Sequence, residues 1–164
     1  YLFGHSFGAR IAIKIASSKK PKISGLILCS APGISRTVSL KRYLFLIASK
    51  MGKLLLGNNP HPFFRKMLYK FAREHDYEKT TGVMKQTMTN VVSEDLKPIV
   101  PIIKQPTLIL WGDRDKMTPV KDAYYIKSQL PKSLLKIFNG YGHRVPYDIP
   151  EEIAAEIDSW YKQI

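Results

Sequence analysis

The segment Gly4-His5-Ser6-Phe7-Gly8 constrains the fold of this chain more than any other. A serine set between two glycines, with one residue intervening on each side, marks a sharp turn between a strand and a helix. The glycines allow close approach and the serine hydroxyl stands clear of the backbone. Tyr1, Leu2 and Phe3 read as the end of the incoming strand. Ile11, Ala12, Ile13, Ile15 and Ala16 follow with no Gly or Pro before Pro21, which predicts a short amphipathic helix with Arg10 and Lys14 on its wetter side.

Further along, the pattern alternates. Residues 22–30, 107–111 and 134–138 read as short apolar strands, each followed within a few residues by Gly and then by a helical stretch. Such alternation implies an α/β fold with a parallel sheet. Thr118 is expected to cap the helix after Trp111, with Pro119 at its first position. The last helix is expected over Pro150 to Tyr161, with Ile153, Ala154, Ile157 and Trp160 on one face and Glu151 and Glu152 in its first turn. Between them, residues 35–100 interrupt the alternation with apolar residues at helical spacing, including Tyr43, Leu44, Ile47, Met51, Phe63, Phe64, Met67 and Phe71. These stripes pack a helical insertion onto the sheet, or line a lid that binds an apolar acyl or aryl group. The domain expectation is a core of residues 1–34 and 101–164 carrying a helical cap of residues 35–100.

At 164 residues and 45% hydrophobic content, the chain can bury a substantial core, and no window is long and apolar enough to cross a bilayer. The single Cys29 cannot form an internal disulfide and is expected at a core strand position, so the default localisation is cytoplasmic. The chain starts at Tyr1 in mid-strand, from which a longer protein is expected. The net charge of +13 is uneven: residues 1–73 hold 14 Lys and Arg and no acid. An anionic substrate or membrane surface is one reading of this imbalance, and a solvated face is another. Nucleic acid is not an expected partner, since no motif or stacking platform accompanies the charge.

Serine alone is a weak nucleophile at neutral pH; it needs a histidine to accept its proton and a carboxylate to orient that histidine. Trp111-Gly112-Asp113-Arg114-Asp115 directly follows one strand and Gly140-Tyr141-Gly142-His143 the next. Parallel strands end on one edge of a sheet, so Ser6, an aspartate and His143 are expected to meet there. Asp113 and Asp115 both remain candidates on spacing. His5 is expected to shape the turn with its side chain directed away from Ser6, and His61 and His75 to be structural or solvated. No histidine pair has metal-ligand spacing on a helix, so neither a metal nor a cofactor is expected.

With this serine turn and the order Ser, Asp, His, the chain resembles the α/β-hydrolase superfamily from end to end. The resemblance implies the C-terminal half of that fold, a mostly parallel sheet with flanking helices and a cap, and an esterase-like serine hydrolase acting on an apolar or acyl small molecule. It maps the acid to Asp115, with Asp113 as a turn residue. It also implies Ser6, Asp115 and His143 as catalytic residues and the Phe7 backbone N–H as one oxyanion donor. In the family a second donor comes from a loop after an earlier strand, which would precede Tyr1. Losing one such donor costs about a hundred- to a thousand-fold in turnover, so the isolated segment is expected to be impaired and a missing N-terminal half to be its partner. A receptor-like protein that keeps the fold as a ligand cage is the alternative, and binding of an anionic surface or nucleic acid through the basic N-terminal half is a third reading.

Overall fold

The computed structural model describes residues 1–18, 22–34, 91 and 94–164. The chain divides into two compact units, Tyr1–Ser35 with Asp95–Ile164, and Arg36–Glu94. Apart from residue 91 and the boundary residues Glu94 to Val100, the stretch expected as a cap lies outside the described residues, together with His61 and His75.

In the first unit four parallel strands stand in the order β1-β2-β3-β4: β1 (Leu2–His5), β2 (Leu26–Cys29), β3 (Thr107–Gly112) and β4 (Ser133–Phe138). Helix α1 (Phe7–Ser17) joins β1 to β2, and α2 (Val120–Gln129) joins β3 to β4. A short α3 (Val145–Asp148) and α4 (Pro150–Tyr161) close the chain, and a single 3-10 turn (Val100–Ile102) precedes β3.

Every residue of β2 and β3 is buried, because the two strands are covered on both faces. Side chains alternate between those faces. Leu26, Leu28, Ile109 and Trp111 pack with Ala9, Ala12, Ile13 and Ala16 of α1 and with Ala123 and Ile126 of α2. Leu96 and Val100 are buried in this same cluster. Ile27, Cys29, Leu108 and Leu110 point the other way, onto Val145, Ile149, Ile153 and Trp160. The result is a three-layer sandwich in which the hydrophobic runs read from the sequence become the central layer. On β4 burial alternates with exposure, and Lys136 pairs with Glu156 of α4 at 2.9 Å.

Three local expectations are corrected. Arg10 is buried rather than wet, while Ile11 is 46% exposed. The loop after β2 comes down over Arg10, so that a Cβ at Gly33 would stand 2.7 Å from its Nη1. Helix α2 begins at Val120 with Pro119 in the capping position, and Thr118 makes no cap because its hydroxyl is committed to Asp115. On α4 Ile153 and Trp160 are buried as expected, but Ala154 is exposed.

Candidate active site

The ends of β1, β2 and β3 are held in step by hydrogen bonds that prolong the strand ladders. The Ser6 amide donates to the Cys29 carbonyl at 3.0 Å, the Ser30 amide to Leu110 at 3.1 Å, and the Asp113 amide to Phe138 at 3.1 Å. The loops after the strands therefore leave the sheet along one edge, and the residues they carry converge.

Ser6 occupies φ 51, ψ −120, a region that a non-glycine residue enters only when its surroundings force it. Two neighbours do so. Its amide is tied to β2, and its carbonyl accepts from Ala9 at 2.9 Å, closing the first turn of α1. Gly4 permits the approach: a Cβ there would lie 2.6 Å from the Gly8 carbonyl oxygen and 2.7 Å from the Ala9 Cα. Gly8 carries no matching constraint, since a Cβ there meets nothing within 4 Å among the described residues. Although Ser6 stands at the helix N-cap, its hydroxyl caps nothing. It instead lies 2.8 Å from His143 Nε2.

The other ring nitrogen, His143 Nδ1, lies 2.8 Å from Asp115 Oδ2. An ionised carboxylate only accepts, so Nδ1 carries the proton and, in the neutral ring, Nε2 is the acceptor for the serine hydroxyl. Asp115 is itself enclosed by donors. Its Oδ1 accepts from the amides of Met117 and Thr118, each at 2.8 Å, and its Oδ2 accepts from the Thr118 hydroxyl at 2.6 Å. Burial alone would raise the Asp115 pKa, but the bonds from His143 and Thr118 outweigh it and bring the group down to about 2. The carboxylate is therefore ionised throughout the neutral range. Trp111 steadies this loop from below, its buried indole N–H donating to the Thr118 carbonyl at 2.8 Å.

Asp113 sits elsewhere, accepting from the Gly140 amide at 2.7 Å. It joins the loops after β3 and β4, as does the Arg114 amide, which donates to Tyr141 at 2.9 Å. Gly112 lets these loops touch, since a Cβ there would lie 2.3 Å from the Tyr141 oxygen. Two site residues escaped the sequence reading. Thr118 carried a signal, a threonine three residues after an aspartate, but that spacing equally suits a helix cap. The sequence gives His5 no role beyond shaping the turn; its Nε2 lies 2.8 Å from the His143 carbonyl. An apolar groove of about 340 Å³ runs beside His5, lined by Phe3, Pro146, Tyr147, Ile153 and Ile157 among others, and Ser6 is not part of its wall. No cluster of three or more metal-ligating side chains occurs among the described residues.

The family model described as serine aminopeptidase, S33, matches residues 1–150. Human monoglyceride lipase is 26% identical over 178 residues, covering 99% of this chain and 58% of the lipase. An uncharacterized hydrolase of Bacillus subtilis, YugF, is 24% identical over 98% of this chain and 64% of its own length. The chain thus spans about six tenths of the length of these curated relatives. Among solved structures, a bacterial membrane phospholipase A superposes with a TM-score of 0.65 at 23% identity, over 98% of this chain and 56% of the other, a likeness of fold.

Proposed function

Because the chain belongs to the α/β-hydrolase superfamily, in the family described as serine aminopeptidase S33, we propose that the protein is a serine hydrolase that cleaves a carboxylic ester or related acyl bond. The reading rests on one observation, the continuous path Ser6 Oγ, His143 Nε2, His143 Nδ1, Asp115 Oδ2, with both links at 2.8 Å.

In the proposed reaction the Ser6 oxygen attacks the substrate carbonyl carbon as His143 Nε2 takes the hydroxyl proton. Asp115, held ionised by its four donors, stabilises the imidazolium that forms. The negative oxygen of the tetrahedral intermediate falls to the Phe7 N–H. Phe7 opens α1, where amide protons have no helical partner, and no acidic residue in the first turn offsets the positive end of the helix. The leaving group departs with the proton from His143, giving a Ser6 acyl ester, and water hydrolyses it by the same steps. An apolar acyl chain is the proposed substrate group, in keeping with the monoglyceride lipase and Lipase 3 among its relatives.

The test is active-site labelling of the protein expressed from its natural gene. A fluorophosphonate should modify the wild type and leave Ser6→Ala unmodified, and an activated ester should give a burst of one equivalent before the steady state. Equal labelling of both proteins would refute the assignment.

A further inference from the structure

The loop of residues 139–144 that carries His143 contains Gly140 and Gly142 and no regular structure. On one side it is fastened to the loop after β3, through Asp113 to Gly140 and Arg114 to Tyr141. Those bonds end two residues short of His143. The His143 main chain is met from the other side by His5, whose Nε2 lies 2.8 Å from its carbonyl oxygen across 138 residues of sequence. His5 is a ladder residue of β1, in register with Cys29, and immediately precedes Ser6. Resting on the proposed function, we propose that His5 is a positioning residue, whose ring N–H holds the His143 main chain at the distance that keeps Nε2 on the Ser6 hydroxyl.

A carbonyl oxygen accepts only, so His5 Nε2 must carry hydrogen in either charge state and the tether does not depend on protonation. The charge state matters for another reason. His143 and Asp115 face His5 from the loops after β4 and β3, its ring lies 5.1 Å from that of His143, and Tyr147 of α3 meets it edge-on at 5.4 Å with Arg144 over the far ring. Burial lowers the His5 pKa, against the smaller raising effect of the bond to His143. A neutral His5 therefore holds His143 without setting a second cation beside the imidazolium that the reaction forms. Fastened at the main chain by His5 and at Nδ1 by Asp115, the His143 ring has little freedom to swing away from Ser6.

His5→Gln and His5→Leu separate this role from packing, because a glutamine amide can donate from near the Nε2 position and leucine cannot. With the natural gene product and an activated ester, His5→Leu should lower kcat and the rate of fluorophosphonate labelling together, by about 10- to 100-fold, with KM held within about twofold. His5→Gln should recover most of the loss. A His5→Leu enzyme within about twofold of wild type, or a His5→Gln enzyme as slow as His5→Leu, would overturn the inference. A wild type that neither labels nor turns over refutes the hydrolase reading instead. The placement is then read by the proton resonance of His143 Nδ1–H, expected to move or broaden in His5→Leu and to persist in His5→Gln; no change in either variant overturns it. Should His5→Leu not fold, His5→Asn, too short to reach the carbonyl, takes its place with the same expected losses.

Discussion

Asp115 shows how much a single side chain depends on its neighbours. It accepts four hydrogen bonds, and its pKa of about 2 lies below the ordinary carboxylate value because those bonds outweigh burial. A group with a depressed folded-state pKa stabilises the fold fully above its unfolded value, near 3.9, and loses that contribution as pH falls toward about 2. Melting temperatures of wild type and Asp115→Asn should therefore differ most above about pH 4 and converge as pH drops toward 2. A gap that stays constant across this window would contradict the bonding scheme. Cys29 is the opposite case. Fully buried, its thiol is pushed up to about 12, chiefly by burial. Since the thiolate is the nucleophile, iodoacetamide at pH 8 should leave Cys29 unmodified in the native protein and alkylate it after denaturation, as read by peptide mass.

At the scale of elements, the serine turn depends on its two glycines unequally. Gly4→Ala sets a methyl against the α1 backbone, which has nowhere to go while Ser6 is bonded to both β2 and α1. It should cost about 1–3 kcal/mol of stability in denaturant unfolding and slow Ser6 labelling. Gly8→Ala meets no such obstacle among the described residues and lies inside a helix, so it should be neutral or stabilise by up to about 1 kcal/mol. Equal effects of the two substitutions would mean that the close approach of α1 to β1 does not shape the turn. The motif names both glycines, but only the packing of helix on strand distinguishes them. Helix α1 makes the same point through Arg10. Helical periodicity places it beside Lys14, yet the loop after β2 covers it, a contact between segments that no local pattern encodes.

Across the whole molecule, stability should follow the layers. Strands β2 and β3 are buried along their full length between two helical layers, whereas burial on β4 alternates with exposure. Native-state hydrogen exchange should accordingly find the slowest amides in Leu26–Cys29 and Leu108–Trp111, with β4 exchanging faster through local openings. Uniform protection over β2, β3 and β4 would argue against this layering.

The alternating strands and helices, the parallel sheet and the superfamily were legible in the sequence, because hydrophobic periodicity and turn chemistry act over a few residues and survive without the fold. Ser6, Asp115 and His143 were legible as candidates for a related reason: each follows its strand at a short, fixed distance, and parallel strands end together. Spacing left both Asp113 and Asp115 open and only the resemblance favoured Asp115, whereas the commitment of the Thr118 hydroxyl to a carboxylate rather than a helix end and the tether from His5 to the His143 main chain were decided only by tertiary structure. Each turns on ångström-scale distances between loops from different strands, and those distances exist only once the sheet has set its register.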